Sequence, residues 1–220
     1  MAMRVLLPLL LYFASPAFCG APKYSLVDGE LAAPSSADNS YFRAAGHPAY
    51  DYWALPSFFY VPRRNGYSCS SAASAAALTS EKGLGGRHGL TLDQLASALR
   101  GALAAYGAKR ASVAALEVSS ADASVLEKFR AALAENEKNP DDIMLIHFTQ
   151  DILTGAPGGP HPHVSPVGAY DSGTRRVLAM DVDREWYEPY WAADTQVLKA
   201  KAAETAAFGH GGYALIARKK

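Results

Sequence analysis

The sequence predicts an α+β fold in which a helical part that carries a cysteine packs on an antiparallel sheet that carries a histidine and an aspartate. Three observations predict it. Residues 163–181 have the pattern of a β-hairpin, amphipathic helical repeats precede them, and apolar runs of strand length occupy 143–148 and 212–217. The chain has 220 residues, of which 50% are hydrophobic, so it is long enough for one domain with a substantial core.

The charge balance excludes some classes of partner. Lysine and arginine together number 21, as do aspartate and glutamate, so the formal net charge is zero. A neutral chain without long charge runs gives no indication of a nucleic-acid partner or an anionic surface.

The N-terminal residues have the pattern of a secretory signal. A basic n-region ends at Arg4, an apolar stretch follows, and small residues lie near position 20. We therefore expect a signal peptide at 1–20, a flexible connector at 21–40 and the folded domain at 41–220. This predicts a periplasmic or secreted protein with no membrane span after signal removal. An uncleaved anchor remains the alternative, and the residues before Cys19 disfavour a lipid-modified cysteine there.

The helices and strands follow from capping and periodicity. Thr91-Leu-Asp-Gln94 is a capping box, and leucines at helical spacing continue it to Tyr106. A short strand is expected at 113–118 and a second amphipathic helix at 122–136. The continuous apolar run 143–148 predicts a buried central strand.

The C-terminal part continues the sheet. After the hairpin, 182–191 is aromatic and acidic and is expected to be a loop packed on the domain. A helix is predicted at 192–206. The last apolar run, 212–217, predicts a final strand beside the central one.

The hairpin has its predicted turn at Asp171-Ser-Gly-Thr174, flanked by apolar runs. Pairing about that turn, centred on residue 172, places His163 directly opposite Asp181 on one face of the sheet. Directly opposed residues have Cβ atoms roughly 5 Å apart. A carboxylate held in this way orients the imidazole and stabilises its protonated form, so the pair predicts a general base.

Cys69 is the candidate nucleophile. It follows the turn signal Asn65-Gly66, and Ser68 is a suitable helix N-cap. A cysteine in the first turn of a helix has its thiol pKa lowered by the helix dipole and the free backbone N–H groups. If Cys19 leaves with the signal, Cys69 is the only thiol left and cannot form an internal disulfide.

Other sites can be built from the same residues. His161 and Asp183 form a second pair in the predicted register, although the prolines beside His161 disfavour regular pairing there. Together with His163 and Asp181 they would make a metal site, but their spacing matches no recognised ligand pattern, so no metal is expected. His147 lies in the central strand and is expected to be a core histidine with its hydrogen bonds satisfied.

The order Cys, His, Asp, with the cysteine on an early helix and the other two on a late antiparallel sheet, is the papain-like arrangement. Two segments, His163-Val-Ser-Pro-Val-Gly-Ala-Tyr170 and Arg176-Val-Leu-Ala-Met-Asp181, resemble the catalytic domain of phytochelatin synthases, as does the aromatic Tyr187-Glu-Pro-Tyr-Trp191. The resemblance is strongest to short, exported bacterial members and covers about 41–218. It implies a papain-like fold and a triad of Cys69, His163 and Asp181.

The resemblance also implies a substrate. Such enzymes cleave the Cys–Gly bond of glutathione and hold γ-glutamylcysteine on the thiol; plant members pass it to a second glutathione, whereas short bacterial members mainly hydrolyse it. We expect an exported cysteine hydrolase of glutathione or related γ-glutamyl thiol peptides. The alternatives are a phytochelatin-forming transpeptidase, an inactive protein that binds thiol peptides or metal thiolates, and a cysteine peptidase of ordinary peptides.

No resident cofactor is expected, and heavy-metal ions such as Cd, Zn and Cu would enter only as thiolate complexes of the substrate. No Cys-rich extension follows the domain in this sequence, so a metal-sensing tail is not expected. The partner implied is a small thiol peptide, glutathione, and a homodimer is left open.

The sequence departs from the family at three places. The family has Cys-Gly-Val-Ala-Ser at the nucleophile, where this chain has Cys69-Ser-Ser-Ala-Ala-Ser, and Arg63 replaces a glutamine that normally stabilises the oxyanion. Arg63, Arg64 or Asn65 are the candidates to donate instead, with the backbone N–H of Cys69. Family members often carry an arginine before the last strand, where this chain has His210-Gly211.

Overall fold

The computed structural model describes the C-terminal part of the chain. The described residues are 90–105, 107–108, 110–139, 142–155, 158–182, 187, 189–206 and 208–218. The elements, labelled in chain order, are α1 (Leu92–Ala105), β1 (Ala111–Glu117), α2 (Ala123–Lys138), β2 (Ile143–Thr149), α3 (Gln150–Thr154), β3 (Pro162–Asp171), β4 (Arg176–Ala179), β5 (Tyr190–Ala193), α4 (Asp194–Ala202) and β6 (Gly212–Arg218).

The described strands form an antiparallel sheet in the order β1-β6-β2-β3-β4-β5. The last strand, β6, lies between β1 and β2, so the predicted pairing of residues 212–217 with the central strand is confirmed. The long strand β3 pairs with β2 through its first half and with β4 through its second half. It therefore joins the two halves of the sheet, and His163 lies near its beginning.

Helix α1 covers one face of the sheet. Its predicted capping box is present, since Thr91 N–H donates to Gln94 Oε1 at 2.9 Å and Gln94 N–H donates to Thr91 Oγ1 at 3.2 Å. The buried side chains of this face form one apolar cluster, made of Leu95, Leu99, Leu145, Val164, Val182, Ala214 and Ile216.

The opposite face carries the larger core. Because neighbouring residues of a strand point to opposite faces, Met144, Ile146 and Phe148 of β2 face away from α1. Helices α2, α3 and α4 pack on this side, and Phe129 and Leu133 of α2 are buried there. His163 pairs directly with Phe148 and shares its face, so its side chain points toward this second core.

The hairpin forms, but the predicted register is wrong. The turn is Ser172–Arg175 rather than 171–174, and Asp171 pairs with Arg176. Asp171 Oδ1 accepts the N–H of Gly173 at 2.9 Å and so still supplies the turn chemistry. The centre of the hairpin is therefore shifted toward the C-terminus, and His163 and Asp181 are not directly opposed.

A β-bulge at Gly168 partly corrects the shift. The register changes between Val167 and Ala169, and Met180 N–H then donates to the carbonyl of Pro166 at 2.8 Å. Extended one residue further, this register sets Asp181 opposite Ser165, diagonal to His163. An offset of two residues preserves the face of the strand, so the two side chains remain on the same side of the sheet. A Cβ at Gly168 would press on the side chain of Met180 at 2.9 Å, so the bulge favours glycine.

Two boundaries after the hairpin also differ from prediction. Tyr190 and Trp191 were expected in a loop, but they begin β5, which pairs with β4. Helix α4 is shorter than the predicted 192–206 at both ends: its first two residues belong to this strand, and it ends at Ala202. Aromatic and alanine side chains are compatible with a half-buried strand as well as with a packed loop. These residues form a strand because the edge of β4 is free to pair with them.

Candidate active site

His163 and Asp181 lie in contact inside the protein. The imidazole Nε2 of His163 is 2.9 Å from Oδ1 of Asp181, and both side chains are fully buried. Strand β3 supplies the histidine, and the second residue after the end of β4 supplies the carboxylate. The predicted pair is therefore brought together, although through a diagonal relation rather than a direct one.

The hydrogen bond defines the role of each ring nitrogen. A carboxylate only accepts hydrogen bonds, so Nε2 of His163 carries the proton that is shared with Asp181. Any proton that His163 takes from another group would therefore arrive at Nδ1. Such an arrangement suits a general base, because the imidazolium formed by proton uptake is stabilised by the adjacent carboxylate.

The ring of His163 is also held by packing. Phe148, its direct partner across β2 and β3, meets it edge to face, with ring centroids 5.3 Å apart and planes at 84°. Aromatic contacts of this geometry are favourable because the positive edge of one ring meets the negative face of the other. Hydrogen bonding and packing together limit rotation of the imidazole.

Gln150 contacts the other oxygen of the carboxylate. Its side-chain amide Nε2 donates to Oδ2 of Asp181 at 3.3 Å, while Oδ1 of the same carboxylate contacts His163. Gln150 is buried, and it is the first residue of α3, directly after β2. Each carboxylate oxygen of Asp181 thus has a different donor.

His147 is a core histidine, as the sequence predicts, but only one of its ring nitrogens is satisfied: Nδ1 is buried and has no hydrogen-bond partner among the described residues. Its Nε2 donates to the backbone carbonyl of Leu90 at 2.7 Å, and its ring meets Phe208 edge to face at 4.5 Å. Burial lowers the pKa of His147 to about 4, against a smaller opposing effect of the Leu90 hydrogen bond. The ring is therefore neutral at neutral pH and adds no charge beside the His163–Asp181 pair.

Several predicted site residues lie outside the described residues. These are Cys69, the oxyanion candidates Arg63, Arg64 and Asn65, and Asp183 of the second pair. His161, the other member of the second pair, lies within the described residues, and its backbone N–H donates to Asp151 Oδ1 at 2.7 Å. Within the described ranges, no group of three or more His, Cys, Asp and Glu side chains could hold a metal ion.

Sequence reasoning missed Gln150. The available signal was its position: it is a polar residue that directly follows the buried strand whose Phe148 pairs with His163. Residues at the end of that strand must lie close to the beginning of β3. Without the knowledge that β2 and β3 are neighbours, nothing in the sequence distinguishes this glutamine from a surface residue.

Among the described residues, no helix combines the length and the apolar character needed to cross a bilayer.

Comparison with known proteins gave one family match. A search of the curated proteins found none that matches this chain. A family model described as phytochelatin synthase matches residues 67–209, a span that contains Cys69, His163 and Asp181. The match covers more than half of the chain and includes the buried His–Asp pair, and the chain therefore belongs to the phytochelatin synthase family.

Proposed function

We propose that the protein is an exported cysteine hydrolase that cleaves the Cys–Gly bond of glutathione and related γ-glutamyl thiol peptides. Membership of the phytochelatin synthase family implies a papain-like fold, a cysteine nucleophile and γ-glutamylcysteine transfer from glutathione. The observation that carries the proposal at the level of residues is the buried hydrogen bond between His163 and Asp181. Export is supported by the signal-like residues 1–20 alone.

In the proposed mechanism, Cys69 is the nucleophile and His163 its base. Nδ1 of His163 takes the thiol proton, and the sulfur attacks the carbonyl carbon between cysteine and glycine of the substrate. The imidazolium then protonates the leaving amine, the C–N bond breaks and glycine departs. A thioester between Cys69 and γ-glutamylcysteine remains.

The second half of the proposed reaction releases the acyl group. His163 removes a proton from water, the hydroxide oxygen attacks the thioester carbonyl, and the sulfur leaves and regains a proton. Asp181 stays ionised and stabilises the imidazolium in both halves. Arg63 and Asn65, with the backbone N–H of Cys69, are the proposed donors to the oxyanion, and heavy-metal ions would enter as thiolate complexes of glutathione.

Mass spectrometry of the full chain after brief exposure to glutathione tests the nucleophile and the substrate together. We expect an adduct with the mass of γ-glutamylcysteine less water, located on Cys69. Cys69→Ala and His163→Ala should abolish it. Cys19→Ala is the matched control, since it removes the other cysteine of the chain and should leave the adduct unchanged.

A transpeptidase is the second candidate, because transfer is the activity for which the family is named. Product analysis with glutathione and cadmium separates the two: free glycine with γ-glutamylcysteine indicates hydrolysis, whereas longer thiol peptides indicate transfer. Intact glutathione after long incubation, with no adduct on Cys69, would contradict both, and measurable binding of glutathione under the same conditions would support an inactive thiol-peptide binder.

A further inference from the structure

We infer that Gln150 is a positioning residue of the active site, which holds the carboxylate of Asp181 in the orientation that His163 needs. The inference deepens the proposed function and rests on it for the identity of the reaction. The structure supplies the geometry. Gln150 Nε2 is 3.3 Å from Asp181 Oδ2, the carboxylate oxygen that does not contact His163.

The position of Gln150 makes the contact a rigid one. Its backbone N–H donates to the carbonyl of His161 at 2.8 Å, and its own carbonyl accepts from Thr154 Oγ1 at 2.7 Å. The residue is therefore tied both to the segment that leads into β3 and to the far end of α3. Because its main chain is fixed on two sides, the amide can resist rotation of the carboxylate.

Burial makes the donor important for Asp181. The carboxylate is fully buried, and a buried charge is costly unless hydrogen bonds compensate for the lost water. His163 compensates one oxygen, and Gln150 donates to the other. Without the amide, Oδ2 would lose this donor, and the carboxylate could turn about its Cβ–Cγ bond and misalign the imidazole.

The ionisable groups around Gln150 allow a charge-based test. Asp181 is in direct contact with the Gln150 amide, and His163 contacts the other oxygen of Asp181. Asp151, the residue after Gln150 in α3, accepts a hydrogen bond from the backbone N–H of His161. His147, on the adjacent strand β2, is neutral at neutral pH. A carboxylate at position 150 would thus add negative charge next to the His163–Asp181 pair.

We would compare Gln150→Met, which keeps the length but removes the donor, with Gln150→Glu, which adds a charge. Gln196→Met is the matched control, because Gln196 is also buried and its Nε2 donates at 2.7 Å to the carbonyl of Ile152 in the same helix α3. Rates with glutathione are expressed per mole of folded protein, taken from the amplitude of the urea unfolding transition of each variant, so that unfolded protein does not count.

For Gln150→Met we expect kcat to fall about tenfold with KM within about twofold, since the loss affects a catalytic base and not substrate binding. For Gln150→Glu we expect the acid limb of the pH–rate profile to move to higher pH, because the added negative charge raises the pKa of the His163 imidazolium, which must lose its proton before it can act as a base. Gln196→Met should match the wild type in both respects. Equal losses in Gln150→Met and Gln196→Met, or an unshifted profile in Gln150→Glu, would overturn the inference.

A readout without turnover separates this inference from the proposed function. We expect the Nε2 proton of His163 to give a downfield NMR signal that His163→Gln removes, and we expect Gln150→Met, but not Gln196→Met, to shift and broaden it. If the wild type leaves glutathione intact and this pattern is still observed, the proposed function fails while the positioning role stands. An unchanged signal in Gln150→Met contradicts the positioning role whatever the substrate.

Discussion

At the scale of single residues, the same core contains two kinds of buried ionisable group. Asp181 receives donors from both His163 and Gln150, so its charge is compensated. Lys201 of α4 is fully buried, and no hydrogen-bond partner of its Nζ is found among the described residues. Nζ lies over two aromatic rings, 2.9 Å from the ring centroid of Phe129 and 4.8 Å from that of Tyr213.

Aromatic contact does not make up for the burial of this lysine. A desolvated cation–π contact contributes about 2 kcal/mol, whereas the effective cost of burying an ion is several kcal/mol. Burial therefore lowers the pKa of Lys201 well below its ordinary value. Between the lowered pKa and the ordinary one, the unfolded chain binds the proton more strongly, so stability rises with pH in that range.

Lys201→Met should accordingly increase the free energy of unfolding at pH 7 by about 1–4 kcal/mol, as apolar replacements of buried charges often do. Urea denaturation followed by circular dichroism measures it, and the gain should shrink as the pH approaches 10. Lys199→Met, an exposed position of the same helix, is the control and should change stability by less than about 0.5 kcal/mol. A loss of stability in Lys201→Met would mean that the amine is compensated after all.

At the scale of secondary-structure elements, close packing at the start of β6 brings three strands and a helix together. Gly212 pairs with both Glu117 of β1 and His147 of β2. A Cβ at Gly212 would collide with the carbonyl oxygen of Leu116 and lie 2.8 Å from a methyl group of Leu92 in α1. Glycine thus lets β6 enter the sheet and α1 rest on it.

Gly212→Ala should therefore destabilise the protein by about 1–3 kcal/mol, the usual cost of overpacking a core. Gly101→Ala provides the matched control: this glycine lies in α1 with no atom near its Cβ direction, and alanine has the higher helix propensity. We expect Gly101→Ala to stabilise by about 0.5–1 kcal/mol. Thermal unfolding of both variants checks the pair, and equal effects would contradict the role assigned to Gly212.

At the scale of the whole molecule, His147 links strand β2 to the residues just before helix α1. Its hydrogen bond reaches the carbonyl of Leu90, just before α1, and its ring packs on Phe208 between α4 and β6. Protonation of this histidine would place a charge in the buried region between these segments. Stability should therefore depend on pH through His147.

The direction of that dependence follows from the pKa of His147, which is about 4 in the folded protein and 6.5 as its ordinary value. Between these values the unfolded chain binds a proton that the folded one does not, so stability falls as the pH is lowered from about 6.5 to 4. The loss attributable to this group is at most about 3 kcal/mol. In His147→Gln, which keeps a side-chain N–H donor, urea midpoints should fall less steeply over that range. A slope equal to that of the wild type would exclude His147 as the cause.

Local patterns were sufficient for most elements of the described part. Capping and leucine spacing predicted α1, apolar runs of strand length predicted β2 and β6, and the turn residues after Tyr170 predicted a hairpin. Each of these signals lies within a few residues of the element that it specifies, so no knowledge of distant neighbours is required.

What the sequence determined by itself was therefore the α+β class, the resemblance to the phytochelatin synthase family and the pairing of His163 with Asp181. Only the tertiary structure decided how that pair meets, because the turn position and the bulge at Gly168 depend on side chains packed around the hairpin. The tertiary structure likewise decided the place of Gln150 beside Asp181, since proximity between two strand ends depends on sheet order, which no local pattern encodes.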